Sequence, residues 1–359
     1  MACPARTYPL NRPDGHQPPV PRWHLRFDED VQKAHILYFG VQQASDSPGL
    51  RAEAKAIVQT VRDRISDFGS HPSPAAVEEF EVIDAKSSNR SHVTVAYWTD
   101  EEAYRKLLDS LALSEIHSNV PAEHRSQFGL WLETFSLPVT RLETNYSSLD
   151  YLPGLARLQK SYTEDHTLTA YWGAARDRIA ASAHDLFSPD ETSPKKVVEK
   201  GAHVKGTNAN NLVHIRTGQF WHNCDEQEAE AYEKKLEPTL EKGLDYLRET
   251  PSAGAMGLRY LRNTVPGHDS SALRKETCVT CFFTSLDKLE GWAKSHKSHL
   301  AIYNGAMRHA KMFGAERKFR TWHEVVVLKR GEARFEYLNC EAEEGMMAFA
   351  RDEQLECER

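Results

Sequence analysis

The stretch "SHKSH" at 295–299 sets His296 and His299 three positions apart, and "TWHEVVV" at 321–327 adds His323 some twenty residues later. An imidazole can bind a metal or exchange a proton near pH 7, so these residue types admit a metal centre, an acid–base site or both. Zinc would use His296 with His299, but no third or fourth cysteine or carboxylate stands at a suitable spacing. Leu289, Trp292, Ala293, His296, His299, Leu300, Tyr303 and Met307 fall at spacings of three and four, which puts His299 toward the apolar face of an amphipathic helix. On that pattern alone it is a core histidine. In "FRTWHEVVVL", however, alternation gathers Phe319, Thr321, His323, Val325 and Val327 on one strand face. A buried imidazole needs a partner or a task. Two histidines on separate elements, each in an apolar row, suit a flat apolar cofactor with one axial ligand and an acid–base group opposite it. Haem is such a cofactor.

The elements that would position these residues come in two similar passes. In the first, 35–43 reads as a strand, 49–68 as a helix, and 93–110 as a strand running into a second helix. In the second, 212–220, 227–250, 255–265 and 277–295 repeat that order, and 319–330 forms a late closing strand. Gly40 and Gly218 end the opening strands, and Thr99 and Thr284 stand where helix N-caps are wanted. Their offsets, 178 and 185 residues, are nearly constant, as an internal duplication requires. The expected fold is α+β: duplicated ferredoxin-like halves whose two antiparallel sheets pack face to face as an α+β barrel with helices outside. A pocket between sheet and helix is the natural ligand site. The expected organisation is an extended proline-rich arm at 1–22, a first half at 23–200 with a connecting helical segment, a second half at 201–350, and a solvated polar tail at 351–359.

Composition narrows the partners. The chain has 359 residues, 40% hydrophobic and 27% charged, with a formal net charge of −7. That balance argues against a nucleic-acid surface, which needs clustered lysine and arginine. No apolar run reaches bilayer length and the amino terminus lacks a secretory h-region, so a cytoplasmic protein is expected. Six cysteines scattered over this length are too sparse for a disulfide scaffold. The CxxC at 278–281 lies in β-rich sequence, where positions three apart face opposite ways, and Phe282 stands where covalent c-type haem attachment requires histidine.

The motifs "SHKSHLAIY", "WHEVVVL", "YLNCEAEEGMM", "YWGAARDR" and "IRTGQFW", highly specific when taken together, with a match that extends from about Leu37 to Met347, resemble the aldoxime dehydratases, the phenylacetaldoxime enzymes among them. These are haem lyases that convert aldoximes to nitriles. The resemblance implies His299 as the proximal ligand of haem iron, with His296 an ordinary neighbour. It implies His323 as the distal acid and base, Arg178 as a distal-pocket arginine, and Glu143 of "RLETNY" as the carboxylate supporting His323. Thr217 of "RTGQ" stands where the family has serine; it keeps the hydroxyl for the oxime, while its methyl narrows the site. The cofactor implied is haem b, ferrous in the active state, with direct binding of the oxime nitrogen to iron, and the assembly implied is a homodimer.

That resemblance sets out a chemistry. His323 donates a proton so that water leaves the oxime, then takes the hydrogen from the oxime carbon. An imidazole charged in an apolar pocket needs a compensating carboxylate, and Glu143 is the candidate. Arg178 binds the leaving oxygen or holds Glu143. Two other readings share the expected fold: a peroxidase-like or chlorite-decomposing haem enzyme, which would place an arginine distally without a distal base, and a non-catalytic haem carrier or sensor, in which His323 would also ligate the iron.

Overall fold

Runs rich in Val, Ile and aromatic residues become strands because branched and aromatic side chains pack well on a pleated surface. They are β1 His24–Leu25, β2 Lys33–Gln43, β3 Ala76–Val82, β4 Arg90–Trp98, β5 Phe128–Pro138, β6 Leu142–Tyr146, β7 Tyr162–Thr163, β8 His203–Thr207, β9 Leu212–Phe220, β10 Ala255–Asn263, β11 Glu276–Phe283, β12 Arg320–Leu328 and β13 Ala333–Leu338. The helices are α1 Pro48–Ser66, α2 Glu101–Ser110, α3 Leu113–Ser118, α4 Ala122–Arg125, α5 Ala174–Arg178, α6 Glu226–Ala231, α7 Glu237–Glu249, α8 Leu286–Ser295 and α9 Lys297–Phe313. This computed structural model describes residues 6–66, 72–83, 90–158, 161–163, 167–190, 199–265, 273–341 and 344–351. The first five residues of the expected arm and residues 352–359 of the expected tail lie outside the described residues. No helix among those described is long and apolar enough to cross a membrane.

The fold is α+β and its main sheet is antiparallel, with the order β6-β12-β9-β11-β10-β3-β4-β2-β5-β13-β8. Where two separate sheets are expected, the structure has one of eleven strands. The edges of β3 and β10 pair through Val82–Leu261, Glu81–Arg262 and Phe80–Asn263. That pairing satisfies backbone groups that two free edges would leave open. The sheet curls, so inner-face residues of both passes (Tyr38, Val95, Trp131 and Phe135 with Leu261, Phe282, Trp322 and Val326) share one core. Within each pass the strands take one order: β5-β2-β4-β3 in the first and β12-β9-β11-β10 in the second. The passes also exchange strands, β6 extending the second through β12, and β13 and β8 extending the first through β5.

In each pass a glycine on the opening strand lies opposite a tryptophan on the closing one, Gly40 facing Trp131 and Gly218 facing Trp322. A Cβ would stand 1.9 Å from the Trp131 ring or 2.2 Å from the Trp322 ring. Only glycine fits under these indoles.

The outer faces are covered unequally. On the first pass, α1 buries Leu50, Ala54, Ile57, Val61 and Ile65 against the sheet. On the second, Val213, Phe283, Val325 and Val327 pack against Leu247 of α7 and Leu286 and Leu289 of α8. The 17 residues of α9 bury only Gly305 and His309. A helix with an apolar face but so little of it covered stands off the sheet.

Local chemistry moves several expected boundaries. The single amphipathic helix expected through Met307 breaks at His296, whose backbone is extended and whose ring accepts from the Ser298 amide as the N-cap of α9. The expected helix over 227–250 carries a π turn at Tyr232–Leu236, just ahead of Pro238, whose missing N–H interrupts the α ladder. The caps lie one residue later than Thr99 and Thr284: Asp100 accepts from the Ala103 amide at 2.7 Å and Ser285 from the Lys288 amide at 3.2 Å. Cys278 lies in the inner core and Cys281 in the outer one, on opposite faces of β11 as alternation requires.

Candidate active site

Period-two alternation sends Trp322, Val326 and Leu328 of β12 into the inner core and Val325 and Val327 outward, so His323 also faces outward, toward α8 and α9. Register fixes its neighbours. Asn145 of β6 and Thr217 of β9 are its cross-strand partners on either side, and Glu143 stands opposite Val325, two residues along the same face.

Glu143 is buried and receives three contacts. Arg178 donates from Nε to Oε2 at 2.7 Å and from Nη2 to Oε1 at 3.1 Å, while His323 Nε2 lies 3.0 Å from Oε1. Burial alone would raise the Glu143 carboxyl. The charges of Arg178 and His323, with their hydrogen bonds, outweigh it and hold the group at about 2. Arg178 also donates from Nη1 to the Leu168 carbonyl at 2.7 Å, and its Nη2 lies 3.1 Å from His323 Nε2. Its side chain is 5% exposed, whereas that of His323 is 30% exposed. The cluster is fixed at its base and open at its histidine.

The short helix that carries Arg178 is held from outside. Asp177 accepts from the Asn11 amide at 2.8 Å, the Asn11 side-chain nitrogen at 3.0 Å, the Arg12 amide at 3.1 Å and the Tyr171 hydroxyl at 2.7 Å. Gly173 begins that helix at φ +94°, where a Cβ would strike Asn11. The amino-terminal segment therefore sets the position of Arg178.

His299 lies in the first turn of α9, between Trp292 at 4.8 Å and the more exposed Trp172 at 6.4 Å between ring centroids. Burial lowers its pKa; the Ala293 backbone opposes this and the charge of His323 adds to it. The charge of His323 thus reaches His299 from the sheet. His299 Nδ1 is buried without a hydrogen-bond partner. His296 belongs elsewhere, stacked on Tyr246 at 3.6 Å. No group of three or more His, Cys, Asp or Glu side chains suited to a bare metal ion occurs among the described residues.

Thr217 lies beside His323 and donates its hydroxyl to the Trp322 carbonyl at 3.1 Å. The structure thus gathers Glu143, Thr217 and His323 on the sheet with Arg178 of α5 against them, and sets His299 on α9. Two further residues belong to this neighbourhood and were not among those expected. His24 of β1 is lowered to about 4 by burial and then by the charge of Arg178, with Glu143 opposing. Arg22 precedes it by two. The alternation of "RWHL" is the only signal for either, and four residues after a proline-rich run are too few to read as a strand.

His299 on α9 and the acid–base cluster on the outer face are a donor set that suits a flat prosthetic group with one axial ligand. Residues 37–346 match the family described as haem-containing dehydratase. The chain is 31% identical to an aliphatic aldoxime dehydratase of Pseudomonas chlororaphis, covering 98% of this chain and 96% of that one, and 28% identical to a phenylacetaldoxime dehydratase of Bacillus sp. (strain OxB-1), covering 94% of each. Two solved structures superpose with a TM-score of 0.82: an aldoxime dehydratase at 30% identity, covering 97% of this chain and 96% of that one, and an aldoxime dehydratase in complex with butyraldoxime at 28%, covering 97% and 94%. Sequence and fold together make this chain a member of the haem-containing dehydratase family.

Proposed function

We infer that this protein is a haem lyase that dehydrates aldoximes, R-CH=N-OH, to nitriles, R-C≡N, and water. The observation that carries the reading is the Glu143–Arg178–His323 cluster, facing His299 across the gap under α9. His299 would hold haem iron, which, when bound, would supply an electron-rich Lewis acid for the oxime nitrogen. The rest is the work of this chain's own side chains.

His323 Nε2 is held by Glu143, and Nδ1 makes no hydrogen bond to a described residue. Glu143 thus fixes the tautomer that carries hydrogen on Nε2, and Nδ1 is the nitrogen that exchanges protons, the role division of a His–carboxylate pair in acyl transfer. Nδ1–H protonates the oxime hydroxyl and the N–O bond breaks, releasing water. The freed Nδ1 then removes the proton from the oxime carbon as the C≡N bond forms, which restores the imidazolium. One hydrogen and one hydroxyl leave the substrate, and His323 ends as it began.

Arg178 is a positioning residue here. Its nitrogens donate to Glu143 and the Leu168 carbonyl and lie against His323 Nε2, so it orients the carboxylate and closes the base of the cluster. Thr217 gives its own hydrogen to the Trp322 carbonyl, so toward substrate it is an acceptor, and the oxime hydroxyl donates to its lone pair.

Haem of the b type accords with a chain that has no CxxCH, and a ferrous active state with nitrogen rather than oxygen binding of the oxime. A cytoplasmic location accords with free thiols at Cys224, Cys278, Cys281 and Cys340. The shared strand order of the two passes, with Gly40 under Trp131 and Gly218 under Trp322, supports a duplicated ferredoxin-like unit. The homodimer completes this reading and is checked by light scattering, with a mass near twice that of the chain. The activity is tested by adding phenylacetaldoxime or butyraldoxime to haem-loaded protein, air-oxidised and dithionite-reduced, and following nitrile. Nitrile from the reduced sample alone is expected, and equal rates in both would remove the ferrous claim. His323→Ala should keep its haem and lose at least about 100-fold in kcat, the range of general acid catalysis.

A further inference from the structure

Arg22 is placed by its neighbour. Trp23 hydrogen-bonds Tyr146 of β6 in both directions, at 3.0 and 2.8 Å, which lays the end of the proline-rich segment along the sheet's edge beside the site. His24, two residues on, reaches the neighbourhood of Arg178 and Glu143. Arg22 Nη1 is buried and has no hydrogen-bond partner. The charges that reach Arg22 are those of two more arginines, Arg317 and Arg178, opposed only by Tyr303; burial first, then these cations, bring its pKa down to about 10, still charged at neutral pH. Arg317, which precedes β12, makes no side-chain ion pair with a described residue; burial and then the Arg320 charge lower its pKa, and the charge of Glu228 opposes them.

The nearby carboxylates are already engaged. Glu143 is held by Arg178 and His323, Asp150 by both arms of Arg320 at 2.6 Å, and Glu228 by the Lys318 and Phe319 amides at 2.9 Å. Arg22 is withdrawn from water with no anion hydrogen-bonded to it, and Arg317 has near it a Glu228 already bound to two backbone amides, an unfavourable arrangement unless a ligand supplies a further anion, since arginine does not give up its proton. Tyr303 lies four residues after His299, one turn further along the same face of α9. The uncompensated positive charge therefore sits at the edge of the space that His299 faces.

We propose that Arg22 and Arg317 form a carboxylate-binding site at the rim of this space, and that its ligand is a propionate of the haem held by His299. The proposal rests on the cofactor reading above. It makes the amino-terminal segment part of the cofactor's seat, closing over the propionate edge while its earlier residues hold α5.

The test is haem transfer to excess apomyoglobin from wild-type protein, Arg22→Gln and Arg317→Gln, each loaded with haem or with haem dimethyl ester, which lacks the carboxylates. Haem should leave either variant about 10- to 100-fold faster than wild type, the range for a charge-assisted pair, while the ester leaves all three at one rate. Equal haem rates in wild type and variants overturn the site. So does an equal acceleration with the ester, which would mark a structural role. Should a variant fail to fold, wild type alone decides, because a carboxylate site must retain haem far longer than its ester. A wild-type chain that takes up neither compound removes the cofactor reading itself, which none of the other outcomes does.

Discussion

Glu143 must stay ionised in a place where burial alone would protonate it, and Arg178 supplies most of what keeps it so. Because its carboxyl is lowered to about 2, the stability it contributes is present above the ordinary carboxylate range near 4.5 and is lost only as pH falls through that range toward 2. Glu143→Gln leaves Arg178 and His323 side by side with no anion between them. We expect kcat to fall about 10- to 100-fold, because the imidazolium that donates the proton has lost its counter-charge. Haem content and the Soret band should be unchanged; a variant that loses haem instead would make Glu143 a structural residue. At this scale the sequence shows residue types and little of their company. His299 and His323 stand out by alternation and helical spacing, but Glu143 and Arg178 lie on separate elements and only the family resemblance joins them. Arg22 and His24 are hidden because their placement depends on a backbone bridge to Tyr146 that no local pattern encodes.

Elements were more legible where one period ran long enough. Strand β9 matches the expected 212–220 end to end, and α1 and α7 follow their apolar spacing. The break at His296 was not visible, since the apolar spacing runs through it unchanged and the cap is a ring nitrogen on a residue that seldom caps. The exchange of β6, β8 and β13 between passes was equally hidden, because short edge strands are fixed by partners remote in sequence. Gly218 gives a sharp test of the sheet's packing. Gly218→Ala drives a methyl into the Trp322 ring, which lies under the Arg216 guanidinium, and should destabilise by about 1–3 kcal/mol. Gly291→Ala on α8 meets open space and should stabilise by about 0.5–1 kcal/mol. Thermal denaturation of the haem-loaded proteins checks both; a neutral Gly218→Ala would mean that the indole yields.

Across the whole molecule, the curled sheet encloses charge as well as apolar surface. Arg216 reaches Glu78 at 2.6 Å, while Arg259 is paired with Glu133 and Glu344 and covers Trp131 at 3.8 Å. Glu324 and Glu276 lie in the same interior. Burial raises both to about 7; for Glu324 the Arg216 charge opposes this, and for Glu276 the Glu78 charge adds to it. A carboxyl held protonated more tightly in the fold than in the open chain gives stability that is fully present below pH 4.5 and is lost as pH rises through 7. The buried histidines, lowered instead, gain stability up to their ordinary value near 6.5 and contribute no slope beyond it. From pH 6.5 to 8 the protein should therefore lose stability, and about 1 kcal/mol of that loss should vanish in Glu324→Gln, whose amide still accepts from the Leu155 N–H. Parallel denaturant curves at these two pH values would contradict the assignment.

The thin seat of α9 has a consequence for the life of the protein in a cell. A helix that buries two of its 17 residues against protein gains further attachment from a ligand seated beneath it, so a bound cofactor would also act as a layer of the core. A chain made faster than haem is supplied would display α9 and its flanking turns to proteases, and the loss would fall on the segment that carries His299. The cell's haem supply would then set how much enzyme survives as well as how much is active.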